Sequence, residues 1–202
     1  MTSSSLSLQS RARAYMLEGV EAVRRSVDLC LPDVLRAAVV TADCFRSGGK
    51  LLICGNGGSA ADSQHIATEF TSTLRRDFER PALPAIALTT DTSFLTARSN
   101  DFSFDQVFAR QVEALGRAGD VLLGLSTSGN SENVVRAVQT AKARGMTTIA
   151  FTGWQGGRLR DLAGVVVGAA SEVTGHIQEA HILLYHAYCD LVEQLVFGER
   201  QP

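Results

Sequence analysis

The sequence predicts an α/β fold: a five-stranded parallel sheet covered by helices on both faces, with extra helices at the N-terminus. Three observations carry this. Short apolar runs alternate with stretches of helical periodicity. The connections between them are short. Two of the turns, each placed after an apolar run and before a helix, are rich in glycine and serine.

Met1 to Gln9 reads as a polar, fraying start. From Ser10 to Ser47 the pattern is helical, with Leu17, Val20, Val23, Val27 and Leu31 recurring at three- and four-residue steps. Pro32 is expected to break this region into two helices, or to leave one broken helix, because proline lacks an N–H and suits a first helical turn. Leu35, Ala38, Val39, Ala42 and Phe45 carry the stripe on to a stop at Gly48–Gly49. So much apolar face must pack on the domain or against another copy of the chain.

Lys50–Cys54 reads as a buried central strand and the stretch from Ser59 to about Leu74 as the helix after it. Ala85–Leu88 is a second strand and Thr89–Asp101 is expected to be polar and connective. A helix over about Phe104–Leu115, a strand at Val121–Leu125 and a helix at Glu132–Arg144 follow. Strands at Thr147–Phe151 and Val165–Val167 flank a short helix within Gly153–Leu162, and a long helix, Glu172–Phe197, ends at Gly198. No linker divides the chain, so residues 1–202 are read as one domain with a helical region at about 10–47.

Composition narrows the function. Nineteen basic against 21 acidic residues leave a net charge of -2, which does not give a nucleic-acid-binding surface. Arg75, Arg76 and Arg80 form the densest basic run and read as a solvated helix end diluted by Asp77 and Glu79. No apolar run reaches 18 residues, so no membrane partner is expected. The serine-rich start lacks the basic-then-apolar pattern of a secretory leader. Cys30, Cys44, Cys54 and Cys189 include no CxxC pair and read as reduced, buried thiols of a cytoplasmic protein.

The first glycine-rich turn is Gly55-Asn56-Gly57-Gly58-Ser59-Ala60. Glycine lets the backbone approach a ligand closely, and the free N–H groups of a helix start attract anions. Gly55, Gly57 and Ala60 fit G-x-G-x-x-A, but no acidic residue ends the second strand, which argues against a dinucleotide. No lysine stands where a Walker A loop needs one. The second turn, Ser126-Thr127-Ser128-Gly129-Asn130-Ser131, offers four hydroxyls beside the next helix start. Simple capping by Ser131, or a local turn at Ser128, would account for it alone. Two such turns at strand ends of one sheet point to a sugar-phosphate site.

Three of the four histidines lie within eleven residues. His65 and Glu69 are four apart and share a helix face. Gln178 and His186 are eight apart, about 80° around their helix, so one broad face can hold both. Two imidazoles, a carboxylate and an amide oxygen can hold Zn²⁺ or another first-row ion if the two helix faces converge, which spacing does not decide. Asp62 can cap or orient a neighbour and His181 can stand behind Gln178, a structural part weighing at least as much as a catalytic one for both; Trp154 can border a cleft, although a lone aromatic at a strand end more often packs.

CGNGGSAADSQHIATEF at 54–70 resembles the signature of the phosphoheptose isomerases, which have a sugar-isomerase (SIS) domain. NDFSFDQVFARQVEALGRAGDVLLGLSTSGNSENV at 100–134 and IQEAHILLYH at 177–186 continue the likeness, which covers nearly the whole chain. It implies a three-layer SIS-type sandwich and an aldose–ketose isomerase. The reaction converts D-sedoheptulose 7-phosphate to D-glycero-D-manno-heptose 7-phosphate through an enediol, for heptose biosynthesis. It further implies a cytoplasmic homotetramer with sites where subunits meet and one zinc per subunit.

Carried over by position, the metal ligands would be His65, Glu69, Gln178 and His186, with Glu69 and His186 as the catalytic acid/base pair. Ser59, Ser126, Thr127, Ser128 and Ser131 would hold phosphate. Asn56, Gly57, Gly58, Asn100 and Asp101 would border the sugar, with Glu69 and Gln178 in reach of it. A non-catalytic relative that binds the replication initiator is similar at 79–101 but lacks the helix glutamate and the final histidine, present here as Glu69 and His186.

Overall fold

A computed structural model describes residues 3–198. Helix α1 (Ser3–Arg46) runs unbroken through Pro32. The expected break does not occur. Proline removes one backbone donor, whereas the turns on either side bury Cys30, Val34, Ala37 and Ala38 in the core. Packing of that stripe outweighs the single lost bond. The helix also begins seven residues before Ser10; Met1 and Thr2 of the expected fraying start lie outside the described residues.

Then come β1 (Leu51–Gly55), α2 (Gly58–Thr71), β2 (Ala85–Ala87), α3 (Thr92–Asp101), α4 (Val107–Leu115) and β3 (Val121–Ser126). The chain continues as α5 (Glu132–Ala143), β4 (Thr147–Gly153), α6 (Leu159–Leu162), β5 (Val165–Ala169) and α7 (Thr174–Phe197). A 3-10 turn at Phe104–Gln106 leads into α4. Helix α3 corrects the expectation of a connective stretch at 89–101. It buries no residue fully and sets only Phe94 and Leu95 partly against the second core, too little for a periodic stripe, but Asp91 caps it by accepting from the Phe94 N–H at 2.9 Å.

The five strands are parallel in the order β2-β1-β3-β4-β5. Alternate side chains feed two cores, as the strand period of two requires. Leu51, Ile53, Leu123, Leu125 and Phe151 face α1, α2 and α7 and join Phe70, Tyr185 and Tyr188. Leu52, Leu122 and Ala150 face α4 and α5 and join Val107, Phe108, Val134 and Val138. Both sheet faces are covered, so the strands are mainly apolar. All four cysteines are buried and unbridged. Among the described residues no helix is long and apolar enough to cross a membrane.

The strand order reverses at β1. Its successor β2 lies on one side and β3 on the other, which opens a crevice beyond the carboxyl ends of β1 and β3. The register pairs Gly55 with Leu125, so the two glycine-serine turns leave the sheet side by side.

Candidate active site

The two turns are tied together at that crevice. Asn56 and Asn133 exchange amide hydrogen bonds of 2.9 Å in both directions. Gly57 takes φ +57°, a conformation open to glycine at little cost. At Gly58 a side chain would collide with the Gln178 amide, so α2 begins with its backbone against α7. A cavity of about 320 Å³ results, bordered by Asn56–Ser59, Ser126, Thr127, Ser131, Thr174 and Gln178. The first turns of α2 and α5 bring backbone N–H groups to it, which suits an anion without any lysine or arginine.

The hydroxyls there are only partly engaged in capping. Ser131 precedes α5 but makes no side-chain cap bond; instead its Oγ accepts from Ser126 Oγ at 3.0 Å. Ser128 is not among the residues that border this cavity; it forms the local turn, accepting from the Asn130 N–H at 3.1 Å. Asn100 and Asp101 stand exposed at the end of α3, bonded to each other at 2.8 Å, and are not among the residues that border this cavity. Thr174 is a cavity residue that sequence reading missed; it is the first residue of α7, and no spacing marks it.

The helix faces of α2 and α7 converge. His65 Nε2 lies 2.9 Å from Glu69 Oε1 and 3.4 Å from His186 Nε2. Ligand atoms of these three residues all fall within 4.8 Å of one another. Two ligands about 2.05 Å from a tetrahedral zinc stand about 3.3 Å apart, close to the separation of the two imidazole nitrogens. Two nitrogens and one carboxylate oxygen are also a familiar zinc donor set, so the residues fit the ion. Burial, then the neighbouring His65 imidazole, hold His186 below the ordinary imidazole pKa, which keeps its ring neutral near pH 7.

Behind the cluster, Tyr185 OH lies 2.9 Å from His65 Nδ1 and 3.4 Å from Asp62 Oδ1. Burial raises the Asp62 pKa and, with the nearby Asp62 charge second, that of Tyr185. His181 is structural: fully buried, its Nε2–H donates to Thr152 O at 3.0 Å, and burial pulls its pKa down to about 4. Trp154 is 46% exposed and borders a groove of about 630 Å³ between α1 and the start of α7, away from the histidine cluster.

The basic run divides. Arg75 and Arg76 are exposed as expected, but Arg80 is buried. Its guanidinium meets Glu193 of α7 at 2.6 Å and donates to the carbonyls of Glu69 and Phe70, at the end of α2. The sequence carried no sign of this, because Glu193 lies 113 residues away.

The SIS domain family model matches residues 14–153. The phosphoheptose isomerase of Roseiflexus sp. is 52% identical over 180 residues, covering 89% of this chain and 90% of that protein. This chain belongs to the phosphoheptose isomerase family of SIS-domain proteins. It is accordingly an enzyme, an isomerase. The solved structure of the Neisseria gonorrhoeae phosphoheptose isomerase superposes with a TM-score of 0.86 at 46% identity, covering 93% of this chain and 99% of that one. The Francisella tularensis phosphoheptose isomerase gives 0.88 at 36% identity, covering 96% and 100%. The SIS-type sandwich, with its helical N-terminal region, is thus shared with both of these solved structures along nearly the full chain.

Proposed function

We propose that this isomerase interconverts D-sedoheptulose 7-phosphate and D-glycero-D-manno-heptose 7-phosphate through a cis-enediol. The observation that carries the reading is the pairing of two unlike sites on the same two helices. The hydroxyl-lined cavity lies at the starts of α2 and α7, and the His65–Glu69–His186 cluster lies farther along both. Six residues separate Ser59 from His65, about 9 Å of helix. An extended sugar with its phosphate in the turns can reach the cluster with its other end.

In this reading Ser59, Ser126, Thr127, Ser128 and Ser131 hold the phosphate, beside the first amides of α2 and α5. Asn56, Gly57, Gly58 and Gln178 border the sugar; Asn100 and Asp101 reach it where subunits of a homotetramer meet. Glu69 takes the proton from C1 of the ketose and returns it to C2. The neutral His186 ring moves the balancing proton from O1 to O2. Oε1 is the Glu69 oxygen against His65, so its other oxygen carries the C–H proton. Zinc, when bound by His65, Glu69, Gln178 and His186, supplies Lewis-acid polarisation of the substrate oxygens.

The test is a coupled turnover assay on sedoheptulose 7-phosphate, with added zinc and after chelation, for the native protein and for Glu69→Gln and His186→Ala. Turnover lost in both variants supports the assignment. A folded oligomer with no turnover even with zinc restored would move the weight to a non-catalytic, protein-binding role. Solvent hydrogen appearing at C2 supports the enediol, and complete internal transfer under washout conditions counts against it.

A further inference from the structure

We infer that Tyr185, backed by Asp62, is a positioning residue that selects which nitrogen His65 presents to the metal. The inference rests on the metal site proposed above. Tyr185 is fully buried, one residue before His186, with its ring edge-on to both imidazoles: centroids are 5.4 Å from His65 and 5.0 Å from His186. Its hydroxyl reaches across to α2, 2.9 Å from His65 Nδ1 and 3.4 Å from Asp62 Oδ1.

A phenol has one proton to give. Directed at His65 Nδ1, it would leave the imidazole proton on Nε2, the nitrogen that faces Glu69 and His186. Directed at Asp62, it lets the phenol oxygen accept from His65 Nδ1–H, and the Nε2 lone pair then points into the cluster. Asp62, a carboxylate that only accepts, favours the second arrangement once a cation between Nε2 and Glu69 replaces the proton that their 2.9 Å contact otherwise calls for. Its Oδ2 is buried without a hydrogen-bond partner, a cost that a purely structural acid would not be expected to carry. A ligand histidine whose second nitrogen is held by an acceptor is better oriented and more basic. Here the acceptor is a phenol, with a carboxylate behind it.

A phenylalanine at 185 keeps the ring packing and deletes only the hydroxyl. An asparagine at 62 keeps an acceptor and weakens it, at the longer of the two links.

The experiment measures zinc affinity by chelator competition for the native protein, Tyr185→Phe and Asp62→Asn, and records long-range ¹H–¹⁵N spectra of the imidazoles in the zinc-loaded native protein. The expected result is a loss of about 10–100-fold in affinity for Tyr185→Phe with unchanged circular dichroism. A smaller loss is expected for Asp62→Asn, and the His65 proton on Nδ1. Native affinity in either variant, or His65 bound to zinc through Nδ1, overturns the inference. If Tyr185→Phe does not fold, the Asp62→Asn affinity and the native spectrum decide it. A native protein that binds no zinc overturns the inference together with the metal-site reading, whereas turnover of the heptulose phosphate reports on the proposed reaction separately.

Discussion

His65 and His186 lie 121 residues apart in the chain, yet their Nε2 atoms stand 3.4 Å apart, with Glu69 Oε1 2.9 Å from the first of them. Helices α2 and α7 make this meeting by packing side by side on one face of the sheet. With Glu69 and His186 as the acid/base pair, Glu69→Gln and His186→Ala should each lower kcat by about 10²–10⁴-fold. Neither side chain belongs to the buried core, so thermal unfolding of the zinc-free protein should move little. A coupled assay alongside a melting curve checks both halves of this prediction.

The same cluster predicts a response to metal. Zinc held only by the folded state, at a hundred times its dissociation constant, adds about 2.7 kcal/mol of stability. For a chain of this length that raises Tm by about 5–10 °C. Chelation should reverse the rise, and His65→Ala should abolish it. Differential scanning calorimetry with and without zinc makes the measurement.

Much of this arrangement could be read in advance, for a physical reason. β1 and β3 are continuous apolar runs closed by glycine-serine turns, and both sheet faces are buried, so composition alone marks them. His65 and Glu69 share a face by spacing, and the structure supplies what spacing lacked, the approach of α7. Helix α3 was hidden because it fully buries no side chain, and the clearest sign of it was its cap, Asp91. Tyr185 carried no sign of its own in the sequence: its ring packs in the core, and only its hydroxyl, reaching a different helix, gives it a second part. Pro32 misled because one lost hydrogen bond is a local matter and the burial of the surrounding turns is not.

A pH dependence follows from His181. Its folded pKa, about 4, lies below the ordinary value of 6.5 because burial penalises the charged ring. The unfolded chain therefore binds the extra proton first. This contribution is complete above about pH 6.5 and is lost as pH falls towards 4, amounting to about 3 kcal/mol across that window. Urea midpoints at pH 7.5 and 4.5 should differ by less in His181→Gln, which keeps a donor for Thr152 O and has no proton to bind.

Helix α1 predicts self-association. Val20, Val27, Leu31, Leu35 and Val39 leave between 43% and 63% of their surface exposed at intervals of four and seven residues, along one side of the helix. A continuous apolar stripe of that kind calls for a partner. A homotetramer is the expected state by light scattering. Val27→Glu combined with Leu31→Glu should shift the protein to smaller species without unfolding the monomer, because neither side chain belongs to the buried core.

The buried pair Arg80–Glu193 predicts how the site is kept in register. Arg80 closes the carbonyls of Glu69 and Phe70 at the end of α2, and its partner belongs to α7, so one ion pair joins the two helices that carry His65, Glu69 and His186. Both side chains are almost fully buried, so losing one leaves the other charge poorly compensated. Arg80→Met should cost about 3–5 kcal/mol in urea unfolding. The double variant Arg80→Met with Glu193→Leu should recover much of that loss, since an apolar pair of similar volume carries no stranded charge. Zinc affinity separates stability from register. If the pair holds α2 against α7, the double variant regains stability and still binds zinc more weakly than the native chain.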